Sequence, residues 1–198
     1  MEIYNQPLTN IVFMGMGEPL LNYKNVMRSI HFITSEEGLN MSYKRITLST
    51  SGISKMIRKL ADDNVKVNLA LSLHAANEEL RKKIMPIGKS NTLKEIRDSL
   101  KYYFSKTKKK VTYEYVLLRD VNDSIEDAYQ LYKYTKHLSS KVNIIEYNAV
   151  EGLEFKKSSF EKTEKFIGYL LKKGVNVSLR RSRGKDINAA CGQLANKN

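Results

Sequence analysis

Three groups of residues in this chain have the types and spacing to do chemistry. The first is a carboxylate behind glycines, Gly15-Met16-Gly17-Glu18-Pro19. Glycines here allow a tight turn or a close approach of backbone to a ligand, and the adjoining carboxylate suits an ammonium group. This is no phosphate loop: no Gly-Lys-Ser/Thr follows, and the third glycine of a dinucleotide fingerprint is missing. The second group is a series of small polar residues behind apolar runs: Ser49-Thr50-Ser51, Ser72-Leu73-His74, Arg119-Asp120 and Asn148. The third is Cys191, the single cysteine, in the segment Asp186 to Leu194. Arg180, Arg181, Arg183 and Lys185 precede it. Cations near a thiol favour the thiolate, the nucleophilic form.

Each group also has a plain structural reading. The glycines serve an ordinary strand-to-helix turn. Ser49 and Ser51 suit helix caps. His74 suits a hydrogen-bonded core position, Asn148 a turn, and Cys191 a small buried site. Lys106–Lys110 reads as a solvated loop or as a phosphate contact. Convergence argues for function more than any one residue does, so the question passes to the elements that carry them.

Apolar strand-like runs alternate with helical periodicity. Strands are predicted at Asn10–Met14, Arg45–Ser49, Val67–Leu73, Lys110–Leu118, Val142–Tyr147 and Val175–Leu179. Between them fall helical spacings: Val26/Ile30/Ile33 after a cap at Asn22, Ile53/Ile57/Leu60, Leu93–Phe104, Ile125/Ala128/Leu131 and Phe160/Thr163/Ile167/Leu170, with Gly174 as a C-terminal stop. This is an α/β chain with a largely parallel sheet. Six strands and five helices fall short of a closed eight-fold barrel of about 250 residues. That leaves a partial barrel or a doubly wound sheet. In both, ligands gather at the C-terminal strand ends, where the polar groups above would meet.

Composition narrows the partners. Lys+Arg is 34 against Asp+Glu 21, a formal charge of +13, which favours polyanions such as nucleic acid. No apolar run approaches the roughly 20 residues of a membrane span, and no secretory signal is visible at the start. One cysteine excludes an internal disulfide framework, and with three histidines it is too little for a structural zinc site. The expectation is a cytoplasmic protein.

The blocks GMGEPLLNY (15–23), LSTSG (48–52), LALSLHA (69–75), VNIIEYNAVEG (142–152) and RRSRGKDINAACGQLA (180–195) resemble, in order, the RlmN family of radical S-adenosylmethionine (SAM) enzymes. The resemblance runs over nearly the whole chain, and the ACGQL block is its most specific part. It implies a partial (β/α)6 TIM-like barrel over residues 1–182 and a C-terminal loop, 183–198, carrying the methyl-carrier cysteine. It implies methylation of carbon 2 of an adenine in 23S rRNA and tRNA. Gly17 and Glu18 would engage the methionyl amino group of SAM, and Ser49 its ribose side. Ser72, Leu73, His74 and Asn148 would complete the SAM site. Cys191 would accept a methyl group from one SAM. A second SAM, cleaved at a 4Fe–4S cluster, would then give the radical that activates it.

The chain departs from that pattern in one large respect. The family holds its cluster with a Cys-x3-Cys-x2-Cys loop, and this chain has one cysteine. It therefore reads as a C-terminal piece lacking the first barrel strand and the N-terminal helical domain. Such a piece is expected to bind no cluster, to be inactive alone and to self-associate through an exposed strand edge. The alternatives are a Cfr-type carbon-8 methyltransferase, a non-catalytic SAM- or RNA-binding module, and an unrelated partial-barrel phosphate enzyme.

Overall fold

The computed structural model describes residues 7–150 and 152–181. Their strands are β1 (Ile11–Phe13), β2 (Ile46–Thr50), β3 (Asn68–Ser72), β4 (Val111–Leu117), β5 (Ser140–Glu146) and β6 (Val177–Arg180). They form one sheet in the order β1-β2-β3-β4-β5-β6, every neighbouring pair parallel. This decides between the two predicted architectures. A doubly wound sheet reverses its strand order at a switch point and carries helices on both faces. Here the order never reverses, and right-handed crossovers then deliver every helix to the same face. The sheet curls away from them into a partial barrel.

Helices α1 (Tyr23–Thr34), α2 (Ser54–Asp62), α3 (Glu78–Ile84), α4 (Leu93–Thr107), α5 (Ile125–Thr135) and α6 (Phe160–Lys172) occupy the crossovers. Their ends follow local chemistry. Thr92 with Glu95 and Ser124 with Asp127 form reciprocal capping boxes at the starts of α4 and α5. Gly174, at φ +74°, stops α6, and the Val175 N–H returns to the Leu170 carbonyl. The Asn22 side chain does not cap α1; it accepts from the Asn25 side chain instead, because a 3-10 turn over Pro19–Asn22 already leads into the helix.

One helix escapes the periodicity argument. In α3 the buried side chain is Arg81, so an apolar stripe is the wrong signal. Asn77 accepts the Leu80 N–H and starts it.

Strand alternation sends two different surfaces to the two faces. Ile46 and Leu48, Leu69 and Leu71, Val111, Tyr113, Tyr115 and Leu117, and Val142 and Ile144 are buried, packed in one core with helix residues such as Ile57, Leu60, Ile96, Leu100, Leu131 and Phe166. The alternate positions include Thr47, Ser49, Asn68, Ser72, Thr112, Glu114, Asn143 and Ser178. A closed barrel fills that inner face with branched apolar side chains; this one sets polar groups there beside Val12, Ala70, Val116 and Ile145.

Candidate functional site

A cavity of about 550 Å³ lies on the polar inner face, within the size range of small-ligand sites. Its lining includes Ser49 from β2, Ser72 from β3, Glu114 and Val116 from β4, Ile145 from β5 and Arg180 from β6. Loops at the C-terminal strand ends add Met14, Met16, His74, Tyr147 and Asn148. Four of the predicted residues, Ser49, Ser72, His74 and Asn148, thus share one cavity. Gly17, Glu18 and Leu73 do not line it. Leu73 is fully buried, and its N–H donates to the Glu114 carbonyl at 2.9 Å, so its side chain belongs to the core. Cys191 and the segment 183–198 lie outside the described residues. The lysine run sits elsewhere: Lys108 caps α4 in a left-handed conformation, and Lys109 and Lys110 lead into the N-terminal end of β4, opposite the cavity rim.

Glu18 ties two loops together. Its Oε1 accepts the Leu20 N–H at 3.0 Å, and its Oε2 accepts both the N–H and the hydroxyl of Ser51 at 2.6 Å. Ser51 is therefore no helix cap; α2 begins at Ser54, and its N-cap residue Ile53 makes no side-chain cap. A carboxylate offers about four acceptor sites. Three protein donors leave one for a ligand ammonium. The Ser51 carbonyl in turn accepts Nη2 of the buried Arg81 at 2.5 Å. Burial holds the Arg81 pKa below its ordinary value.

Gly52 makes this arrangement feasible. It adopts φ +102°, and a Cβ there would meet Ile96 Cδ1 at 2.9 Å, Leu71 Cδ1 at 3.1 Å and Arg81 Nη2 at 3.3 Å. Gly52→Ala is expected to cost about 2 kcal/mol through backbone strain and crowding. Denaturant titration checks this; a loss below about 0.5 kcal/mol would show that the loop relaxes freely.

His74 turns the chain at the end of β3 with φ +55°, a region open mainly to Gly, Asn, Asp and His. Its Nδ1 accepts the Val116 N–H at 3.1 Å, so the neutral ring carries its proton on Nε2. The His74 carbonyl accepts Asn122 Nδ2 at 2.7 Å. Asn122 is fully buried, also donates to the Val116 carbonyl and accepts the Leu118 N–H. Burial, reinforced by repulsion from Arg81, pushes the imidazole pKa down to about 4. His74 is thus a neutral donor at neutral pH, not a cation.

Sequence reasoning missed Ser51 as a partner for Glu18, and it missed Arg81, Asn122 and Glu114. Of these, Glu114 had a visible signal: a lone carboxylate amid VTYEYVLL, on the parity opposite to the tyrosines.

The family model of the radical SAM superfamily matches residues 1–132. A "Probable dual-specificity RNA methyltransferase RlmN" of Flavobacterium psychrophilum is 57% identical over 98% of the chain, which covers 56% of that protein. The protein of that name from Salinibacter ruber is 50% identical over 99% of the chain and 54% of its own length. A crystal structure of a radical SAM methyltransferase from Sphaerobacter thermophilus matches 95% of this chain and 55% of that one, with 41% identity and a TM-score of 0.92. The chain spans about half the length of the curated relatives it matches. The chain belongs to the radical SAM superfamily, and its similarity gathers on proteins named RlmN.

Proposed function

We propose that this chain forms the SAM-binding part of an RNA methyltransferase acting on carbon 2 of an adenine in 23S rRNA and tRNA, in the cytoplasm. The observation that carries the reading is the convergence of Ser49, Ser72, His74 and Asn148 on one cavity. The names of relatives at 50–57% identity supply the reaction class. A positive charge of +13 suits an RNA partner.

The residues divide the nucleotide between them. Gly17 and the remaining acceptor site of Glu18 face the methionyl ammonium. The hydroxyls of Ser49 and Ser72, the Nε2–H of His74 and the Asn148 amide hold the nucleoside end, with Leu73 contributing its backbone. Cys191 is the methyl acceptor. Its thiolate attacks the sulfonium methyl carbon, the new S–C bond forms as the old one breaks, and a neutral thioether leaves. Carbon 2 of adenine is electron-poor, so direct displacement by it is not open.

The 4Fe–4S cluster implied by the superfamily does not fit this chain's residues. Such clusters take several cysteine thiolates, and the chain has one cysteine. The chain by itself is therefore proposed to be inactive. The β1 edge facing away from β2 has no strand partner among the described residues, which supports the self-association expected above.

Mass spectrometry of rRNA and tRNA from cells with and without the full-length coding region tests the reading. Loss of 2-methyladenosine is the expected result. Loss of 8-methyladenosine would assign the Cfr-type reaction instead, and no change in either base would remove the methyltransferase reading.

A further inference from the structure

Glu114 sits mid-strand in β4, 5% exposed. In register it lies beside Ser72 of β3 and Asn143 of β5, and Asn143 lies beside Ser178 of β6. These four form a polar row across the inner face. The Ser178 hydroxyl donates to Asn143 Oδ1 at 2.8 Å, and Asn143 Nδ2 donates to Glu114 Oε1 at 2.9 Å. The row thus ends on the carboxyl group and fixes its orientation. The other oxygen, Oε2, is buried and has no hydrogen-bond partner among the described residues. Leaving such an acceptor unpaired inside a protein is costly. Glu114 is also part of the cavity lining, so its carboxyl group stands at the wall of the space a ligand would occupy. Burial raises its pKa, while Asn143, Arg180 and Lys141 act in the opposite sense.

We propose that Glu114 is a specificity-determining residue, with Oε2 accepting a hydrogen bond from a ribose hydroxyl of bound SAM. This rests on the site reading above. Position favours the nucleoside over the methionyl group. Glu18 stands at the β1 end of the sheet, whereas Glu114 lies between Ser72 on β3 and Asn148 after β5. Charge agrees: the cations Arg180 and Lys141 already act on Glu114, so a neutral hydroxyl donor suits it better than a second ammonium. A carboxylate on a ribose hydroxyl is also a recurrent way for α/β proteins to read a nucleoside.

Calorimetry on the full chain tests this with SAM, its 2′-deoxy and 3′-deoxy analogues, and an analogue lacking the α-amino group. Glu114→Ala is expected to bind SAM about tenfold more weakly. One deoxy analogue is expected to bind the unmodified chain about tenfold more weakly, and Glu114→Ala to add almost nothing to that loss. With the amino-lacking analogue the tenfold effect of the substitution should persist. Equal losses with every ligand, or none, would overturn the ribose contact. Disappearance of the effect only with the amino-lacking analogue would reassign Glu114 to the ammonium and overturn it too. Thermal melting monitors folding. If Glu114→Ala unfolds, Glu114→Gln takes its place, and if neither folds, the deoxy analogues decide on the unmodified chain: binding equal to SAM by both rejects the contact. Failure of the unmodified chain to bind SAM would bring down the site reading and this inference together. A Ser72→Ala variant that binds weakly beside an unaffected Glu114→Ala would bring down this inference alone.

Discussion

Glu18→Ala is expected to weaken SAM binding by about a hundredfold and to cost about 3 kcal/mol of folding stability. Both effects arise from one carboxylate. It receives three donors, the N–H of Leu20 and the N–H and hydroxyl of Ser51. Hydrogen bonds to a charged acceptor contribute about 1.5–3 kcal/mol each, and bonds sharing one acceptor group do not add. In a chain of this size the cost should appear as a melting temperature lower by roughly 6–12 °C. On the proposed reading binding suffers doubly, because the ammonium contact goes and the loop carrying Gly17 loses its tie to Ser51. Glu18→Gln keeps the shape but turns an NH2 group toward a backbone or hydroxyl donor, so it should recover little of either loss. Calorimetry and thermal melting on the same variants separate the roles. A lower melting point with undiminished affinity would confine Glu18 to scaffolding.

The second large effect is a dependence on acid. The folded His74 imidazole has a pKa pushed down to about 4, against 6.5 in the unfolded chain. Between those values the unfolded chain binds a proton that the folded chain refuses. The contribution is therefore fully present above pH 6.5 and is lost as pH falls toward 4. Its size is at most about 3 kcal/mol at 1.36 kcal/mol per pKa unit. Other carboxylates titrate nearby, so the comparison is with His74→Asn. Asparagine tolerates the left-handed backbone, and its amide oxygen can accept the Val116 N–H. Urea denaturation of both proteins at pH 7 and pH 4.5 should show a difference in stability that shrinks by 2–3 kcal/mol at the lower pH. A constant difference would mean that the imidazole takes up its proton without disturbing the fold.

The strands were readable because each is a short apolar run bounded by polar punctuation, and all six predicted runs overlap observed strands. The parity within each strand was readable too: VTYEYVLL separates Tyr113 and Tyr115 from Glu114. What could not be read was long-range pairing of polar groups. Nothing local announces that Glu18 meets Ser51 across 33 positions, because that contact exists only once β1 and β2 lie side by side. Arg81 is hidden for the opposite reason. A charged run such as Glu78–Lys83 reads as solvated, yet its arginine is fully buried beneath the β2–α2 loop. Of the residues named from motifs, Ser49, Ser72, His74 and Asn148 line one cavity, but the motif could not separate Ser72 from Leu73, which turns into the core.

The division of the sheet into an oily side and a wet side has an evolutionary corollary. Robustness and recognition are written in alternate letters of the same strands, so each can drift without dragging the other along. Thr47 and Thr112 stand on the inner face and can be exchanged for other polar groups, while Tyr113 and Ile144 keep the helices docked. A scaffold ordered in this way can be retuned toward new nucleotide-like molecules by changing every second residue, and it will still fold.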